Sequence, residues 1–318
     1  MNILLTGCAG FIGSNFIDNL LSRNNKIIGI DNLSTGNIGF LSNSLKDKNF
    51  QLHQNDLLDF NYIKPLFKNI DIVYHFAANA DVRFGLNHPK KDLEQNTIAT
   101  FNVLEAMRAN DVNKIVFSST GSVYGEAKEI PTPEHASFPI QTSLYGASKV
   151  ACESLIQAYC EGYDMQSWIF RFVSILGPRY SHGHIFDFYK KLKNDSKNLH
   201  VLGNGNQKKS YLHINDCIEA VLLAQKYSND KVNIFNLGVN DFCEVNDSIA
   251  WICEELGINP KLIYSGGDRG WVGDNPFIFL DTKKILSTGW KPKYSIKDGV
   301  LDTLSYIKNN EWILNRDE

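Results

Sequence analysis

Short apolar runs alternate with helically spaced segments through the first half of the chain. Runs rich in Ile, Val, Leu and Phe predict strands at Asn2–Leu5, Lys26–Ile30, Phe50–Gln54, Ile70–His75, Lys114–Ser118 and Ser167–Phe172. Between them, apolar residues recur at the spacing of one helical face in Ile12–Leu21, Tyr62–Lys68, Leu93–Ala109 and Tyr145–Tyr163. Near-continuous apolar strands, each followed by a helix, imply parallel winding with both sheet faces covered. The pattern predicts an α/β fold built on a doubly wound parallel sheet.

The rhythm changes after Gly177-Pro178. The stretch from Arg179 to Leu212 is polar and carries a turn at Gly203-Asn204-Gly205. A helix over Asn215–Lys226 and a strand over Val232–Leu237 then suggest a return to the sheet. After Gly238 come a helix at Asn246–Leu256, a Gly-rich loop at Gly266–Gly273 and a C-terminal helix. The expected organisation is a first domain over 1–178, rejoined by 212–238, and a smaller second domain over 179–318.

Composition narrows the function classes. The chain has 318 residues, 43% hydrophobic and 21% charged, the balance of a globular protein rather than a disordered or collagenous one. At about 150 residues per domain, two domains are expected. The net charge of -3 and the lack of a basic stripe argue against nucleic-acid binding. Lys190, Lys191 and Lys193 read as one solvated helix face. The six cysteines form no C-x-x-C pair, which argues against zinc and for a reducing, cytoplasmic setting. Met1–Leu5 lacks the basic start of a signal peptide, and no run of about 18 apolar residues could span a membrane.

The first strand runs into Thr6-Gly7-Cys8-Ala9-Gly10-Phe11-Ile12-Gly13, with glycines spaced G-x-x-G-x-x-G. Such a turn lets backbone N–H groups approach a pyrophosphate at a helix N-terminus. The next strand ends at Asp31, where a carboxylate can accept bonds from ribose hydroxyls. The following Asn32, Leu33, Ser34, Thr35 and Gly36 include no arginine for a 2'-phosphate, which favours NAD over NADP. The expected first domain is therefore a Rossmann-type NAD-binding fold.

Tyr145-Gly146-Ala147-Ser148-Lys149 opens a helix and puts a tyrosine and a lysine on one face, a turn apart. A free tyrosine ionises near about pH 10, so a base at neutral pH needs an adjacent cation. Upstream, the strand that starts at Lys114 runs into Ser118-Ser119-Thr120-Gly121-Ser122-Val123-Tyr124-Gly125. A hydroxyl at a strand's carboxyl end points into the crevice where such sheets bind ligands. Together these side chains form a candidate proton relay.

With these motifs in hand, the sequence resembles the extended short-chain dehydrogenase/reductase family, in its nucleotide-sugar epimerase/dehydratase branch. The resemblance spans essentially the whole chain. It rests on Gly7–Gly13, Asp31, Asp56-Leu57, His75-Phe76-Ala77-Ala78, Asn96, Ser118–Gly125, Tyr145 with Lys149, Arg171-Phe172, Asn236-Leu237-Gly238 and Gly289-Trp290-Lys291-Pro292. It implies that Gly7, Gly10, Phe11, Ile12 and Gly13 meet the pyrophosphate and that Asp56 and Leu57 flank the adenine. Phe76, Ala77 and Ala78 would line the cofactor channel, with Asn96, Ser118 and Phe172 beside it. Thr120, Tyr145 and Lys149 would be catalytic. The helices over Leu93–Ala109 and Tyr145–Tyr163 would pair with their copies in a homodimer through a four-helix bundle.

Within this branch, 4,6-dehydratases carry Asp-Glu directly after the catalytic Thr. This chain has Gly121-Ser122, and neither can act as a general acid. The resemblance then implies a 4-epimerase of the UDP-glucose/UDP-galactose type, with a nucleotide-diphosphate sugar as substrate. Alternatives are a net dehydrogenase or reductase, or an epimerase of another GDP-, CDP-, UDP-uronic or N-acetyl sugar. A more distant one is a non-catalytic NAD sensor. Ser174 stands where many relatives carry Asn, and Lys209-Ser210 where they carry Arg-Asp; a lysine neutralises phosphate without the bidentate fork. Arg269, in a longer loop than usual, is assigned to the phosphates. Arg83, Ser122 and His184 complete the expected substrate contacts. His182 and His184 lack a clustered third ligand, so no metal is expected. Trp271 and Trp290 read as packing.

Overall fold

A computed structural model describes residues 1–79, 84–137, 140–270, 275 and 277–315. Its large sheet has seven strands: β1 (Asn2–Thr6), β2 (Lys26–Asp31), β3 (Phe50–Gln54), β4 (Ile72–His75), β5 (Lys114–Thr120), β6 (Gln166–Phe172) and β11 (Val232–Leu237), in the order β11-β6-β5-β4-β1-β2-β3. β1 pairs in parallel with β2 and with β4, β2 with β3, and β4 with β5. The chain winds outward from β1 to β3 and then crosses back to β4. The carboxyl ends of β1 and β4 thus flank a topological switch point, where such sheets form a ligand crevice.

Helix α1 (Phe11–Ser22) buries Phe16, Ile17 and Leu20. The segment predicted as one helix over Tyr62–Lys68 divides into the α-turn α2 (Phe60–Ile63) and a 3-10 turn (Lys64–Phe67). Pro65 supplies no N–H and disfavours α geometry before it, which explains the break. After the short helices α3 (Phe84–Asn87) and α4 (Pro89–Asp92), six residues of π-helix (Leu93–Ile98) lead into α5 (Ala99–Arg108). This replaces the single α-helix that spacing predicts over Leu93–Ala109. Helix α6 (Leu144–Tyr163) starts at Ser143, whose side chain accepts the Gly146 N–H. Val73, Val103, Met107, Ile115, Phe117, Ile156 and Ile169 belong to one buried core of this region.

The chain divides into two compact units. The first comprises 1–125, 137–171 and 221–235, and the second 126–136, 172–220 and 236–318. The second unit contains β7 (Ser174–Leu176), α7 (His184–Asn194), β8 (Asn198–Val201), β9 (Lys208–Lys209) and β10 (Tyr211–His213). It also holds β12 (Cys243–Glu244), α9 (Val245–Leu256), β13 (Lys261–Tyr264), α10 (Lys283–Leu286) and α11 (Ile296–Asn309), while α8 (Ile214–Tyr227) runs from the second unit into the first. β10 pairs with β7, β12 with β9 and β13 with β8.

Two differences from the sequence reading stand out. The strand that rejoins the large sheet is β11, whereas Leu212 and His213 pair with β7. The polar stretch from Arg179 to Leu212, where the sequence marks only a turn and the lysine face of a helix, holds the whole of α7, which buries Ile185, Phe188, Tyr189 and Leu192. Those positions have helical spacing, masked by the intervening lysines and Asp187. The Trp290 indole is buried and donates to the Asp216 carbonyl at 3.1 Å, a packing role as expected from sequence.

All six cysteines are free thiols. Burial lifts every one of them above its ordinary value of 9.0, Cys243 to about 11. On unfolding, each thiol would ionise at its ordinary pH, so the unfolded state releases protons that the folded state keeps. Stability is therefore expected to be fully present below pH 9 and to fall as pH rises above it. Burial lowers Lys149 and acts in the opposite sense, but it is one group against six. Urea unfolding at pH 7.5 and pH 9.5 should give a lower midpoint at the higher pH.

Candidate active site

The turn after β1 is built on close backbone approach. Gly7 has φ +71, and its N–H donates to the Ile30 carbonyl at 2.8 Å. A Cβ on Gly7 would lie 2.6 Å from the Ala77 nitrogen, and one on Gly13 would lie 2.1 Å from the Gly7 oxygen. Gly10 is different: a Cβ there would meet only the Gly7 oxygen, at 3.3 Å. It is the N-cap of α1, which has no side-chain cap and no acidic residue in its first turn. The N–H groups of that first turn, which include Phe11, Ile12 and Gly13, carry the positive end of the helix dipole. The cradle suits a pyrophosphate.

Asp31 ends β2, is buried, and accepts the Ala9 and Leu33 N–H groups, both at 2.8 Å. Gly36 approaches this carboxylate so closely that a Cβ would be 2.7 Å from its oxygen. The Asn32 side chain accepts the Ser34 N–H and donates to Asp56 at 2.8 Å. Thr35 follows in the same loop. Burial alone would raise the Asp56 carboxyl. Bonds from the Leu58 N–H, Asn32 and Gln95, together with the charge of Lys91, hold it below the ordinary range instead. Leu57 is buried, and its carbonyl accepts from Asn102 at 2.9 Å. A tight glycine turn, an uncapped helix start and an acid at the end of β2 are the features that a dinucleotide such as NAD needs, and the residues present fit it.

Beyond β4, the Phe76 and Ala77 N–H groups donate to the Thr6 carbonyl and hydroxyl, at 3.2 Å and 3.3 Å. His75 beneath them is fully buried, with Nδ1 2.7 Å from the Thr6 hydroxyl and Nε2 2.9 Å from the Thr100 hydroxyl. Burial and the nearby Lys149 push it down to about 3, so it is neutral. After Ala78, the Asn79 N–H donates to Asn96 Oδ1 at 2.7 Å, and Asn96 Nδ2 donates to Ser148 Oγ at 2.8 Å. Asn96 lies in the π-helical turn, a geometry often found at functional sites.

Thr120 ends β5 and caps the 3-10 turn Gly121–Tyr124 by accepting the Ser122 N–H at 3.1 Å. Its hydroxyl also donates to Ser122 Oγ at 3.2 Å, and its side chain hydrogen-bonds Tyr145. Lys149 is 2% exposed and donates to the Ser118 carbonyl at 2.8 Å. Its ammonium lies 4.6 Å from the centre of the Phe117 ring. Burial lowers it to about 8, against support from Cys152 and Glu153. The sequence reading expects an adjacent cation to ease Tyr145 ionisation. In the protein alone the balance is opposite: burial raises the phenol, only partly offset by the Thr120 hydrogen bond, with Asp92 raising it further. The desolvated phenolate lacks a counter-charge strong enough to reverse this.

Among the remaining expected residues, Phe172, Ser174, His184, Lys209 and Arg269 lie in the second unit. Phe172 is buried and Ser174 is exposed at the start of β7. His184 opens α7, its Nδ1 3.2 Å from the Tyr211 hydroxyl and its Nε2 buried without a hydrogen-bond partner. Burial, with the charge of Lys209, drives it down to about 3. Lys209 Nζ donates to the Asn275 carbonyl at 2.9 Å, and Arg269 pairs with Glu126. Arg83 and Trp271 lie outside the described residues. Among the described residues, no group of three His, Cys, Asp or Glu could hold a metal, and no helix is long and apolar enough to cross a membrane.

Four residues near the site escape the sequence reading: Asn79, Asp92, Gln95 and Glu153. Asn79 Nδ2 donates to Asp92 Oδ1 at 2.9 Å, and Glu153 pairs with Arg171 at 2.7 Å. For Glu153 a signal is present. It continues the Tyr145–Lys149 spacing by one more turn, onto a face that is otherwise buried.

A model of the NAD dependent epimerase/dehydratase family matches residues 3–238. The chain is 36% identical over 314 residues to a Methanocaldococcus jannaschii protein whose name assigns it provisionally to UDP-glucose 4-epimerase, covering 97% of this chain and 99% of that one. It is similar to a solved UDP-galactose 4-epimerase, with TM-score 0.88 and 34% identity over 98% of this chain and 100% of the other. It is also similar to UDP-glucuronic acid 4-epimerase of Bacillus cereus, solved with UDP-glucuronic acid and NAD, with TM-score 0.90 and 27% identity over 97% and 99% of the two chains.

The turn geometry sets an expectation of its own. Gly7→Ala puts a Cβ against the Ala77 backbone at a left-handed φ, which should cost about 1–3 kcal/mol. Gly10→Ala meets no such contact and should cost less. Melting temperatures of the two variants measure the difference.

Proposed function

This chain belongs to the NAD dependent epimerase/dehydratase family, and on that premise we propose that it inverts C4 of a UDP-hexose, interconverting UDP-glucose and UDP-galactose. The observation that carries the reading is the join between β5 and α6. There Thr120 hydrogen-bonds Tyr145, and Lys149, a turn further on, grips the strand at Ser118. The residues after Thr120 are Gly121 and Ser122, so no acid follows to drive the elimination of water.

In this reading Tyr145 takes the proton of the sugar 4-hydroxyl and later returns it. Bound NAD supplies the acceptor for the C4 hydride, the source for its return, and a positive ring that favours ionised Tyr145. Thr120 hydrogen-bonds the same hydroxyl and fixes the direction of proton transfer. Lys149 adds a fixed positive charge on the same helical face. Tyr145 is held as a phenol in the protein alone, so base strength would appear only once the cofactor and sugar are in place. The cradle residues Gly7, Gly10, Phe11, Ile12, Gly13, Asp31 and Asp56 are assigned to the dinucleotide. His184, Lys209 and Arg269 are assigned to the nucleotide diphosphate. The sugar leaves at the oxidation level at which it entered.

A second substrate, UDP-glucuronate, is favoured by the similarity to the Bacillus cereus enzyme. A homodimer is also part of the reading. Ile98 and Phe101 are exposed apolar residues three apart on one helical face, and Leu93 and Leu144 are exposed nearby in sequence to the same two helices. A second copy of the chain would cover them.

Mass spectrometry of the purified protein should detect retained NAD. Incubation with UDP-glucose or UDP-galactose should give the other sugar without net NADH; reaction of UDP-glucuronate alone would move the substrate to the second reading, and no reaction with any UDP-hexose or its uronic or N-acetyl analogue would refute both. Tyr145→Phe should lower kcat by about 10²–10⁴-fold while NAD is still retained. Sedimentation should give the mass of two chains, and of one for Phe101→Glu.

A further inference from the structure

Three successive turns of α6 present Tyr145, Lys149 and Glu153 on one face. Each meets one of three consecutive residues at the end of β5. Tyr145 hydrogen-bonds the Thr120 side chain, Lys149 Nζ donates to the Ser118 carbonyl, and the Ser119 hydroxyl donates to Glu153 Oε1. Glu153 is fully buried and held by Arg171 from β6, with Nε donating to Oε1 at 3.0 Å and Nη2 to Oε2 at 2.7 Å. The guanidinium also donates from Nη1 to the Tyr124 hydroxyl at 2.6 Å. Tyr124 closes the 3-10 turn that Thr120 caps. We propose that Glu153, locked by Arg171, is a positioning residue for both Lys149 and Thr120, tying the catalytic end of β5 to α6.

Packing alone does not require this pair. A buried ion pair often adds no stability over apolar side chains of similar volume. Apolar substitutes could not place a carboxylate one turn beyond Lys149, nor grip Ser119 and Tyr124 on either side of Thr120. The groups facing Lys149 are the Ser118 carbonyl and Phe117 ring from β5, Cys152 and Glu153 from α6, and His75 from β4. Burial keeps Cys152 a thiol and His75 neutral. Glu153 therefore supplies the carboxylate that opposes the lysine's desolvation. Loss of that carboxylate should release the lysine proton at lower pH.

The inference rests on the epimerase reading for its catalytic meaning, but its first test does not need turnover. With ¹³Cε-labelled lysine and Lys149 assigned through Lys149→Met, NMR titration of the full chain as purified should give a midpoint well below the ordinary lysine value of 10.5. Glu153→Gln should lower that midpoint by about one unit. The double variant Glu153→Gln/Arg171→Met removes both members of the ion pair, so neither is left buried without the other, and should fold; it should also lower the midpoint. In the epimerase assay, kcat of Glu153→Gln should fall about tenfold and its alkaline limb should move to lower pH, with KM changed by less than about twofold. Glu153→Asp should restore part of the loss. An unchanged Lys149 midpoint in a folded variant overturns the proposal. So does failure of the double variant to fold, which would make the pair's role one of stability. A shifted midpoint in a protein without epimerase activity would instead count against the functional reading alone.

Discussion

Burying an ammonium costs several kcal/mol unless opposing groups surround it. Lys149 is 2% exposed, in the second turn of α6. The Ser118 carbonyl, the Phe117 ring and the Glu153 carboxylate stand against it. Glu153 in turn is offset by Arg171, and Arg171 by the Tyr124 hydroxyl. One buried cation thus dictates residues on β5, α6 and β6 and in the turn after Thr120. The same chain of contacts fixes the end of β5 from which Thr120 meets Tyr145. A loose strand end would leave the hydroxyl and the phenol in variable register, and catalytic groups need placement within a fraction of an ångström.

The cofactor side solves a different problem. In the proposed reading the backbone itself faces the ligand there. Side chains are withheld at Gly7, Gly10 and Gly13, and α1 begins without a cap. Asp31 ties the Ala9 and Leu33 amides together at the end of β2, and in the proposed reading it also meets a ribose. His75 joins the two regions. It bridges Thr6 of β1 to Thr100 of α5, stays neutral, and lies close enough to feel the Lys149 charge. The cradle and the relay are therefore held by one buried polar framework in the first unit.

Much of this was legible in the residues. Phe50–Gln54 and Val232–Leu237 match their predicted bounds, and the other predicted strands differ by a few residues at their ends. The inner strands β1, β4, β5 and β6 are largely buried on both faces, which makes their apolar runs easy to read, whereas the edge strand Phe50–Gln54 is half-buried and alternates. The Gly turn, Asp31, Thr120, Tyr145 and Lys149 could be named because each belongs to a motif of fixed spacing. What stayed hidden depends on partners distant in sequence. Glu153 continues the Tyr145–Lys149 spacing, but what it does shows only when Arg171 and Ser119 are seen beside it. Asp92 and Gln95 gain meaning only through Asn79 and Asp56. The π-turn at Leu93–Ile98 has no composition signal. Of helix α7 only the lysine face is legible, because Asp187 and three lysines interrupt the apolar positions that it buries. The direction of the Tyr145 shift could not be read from sequence because desolvation depends on what covers the ring.

In the proposed function a hydride leaves C4 of the sugar and returns to the same carbon, with Tyr145 moving the proton. The most direct measurement uses UDP-glucose carrying deuterium at C4, with the label located in the product by NMR. The expected result is UDP-galactose with the deuterium still at C4. Deuterium moved to C6 would mean that the chain dehydrates its substrate, and deuterium lost to free NADH would mean net oxidation; either result contradicts the claim.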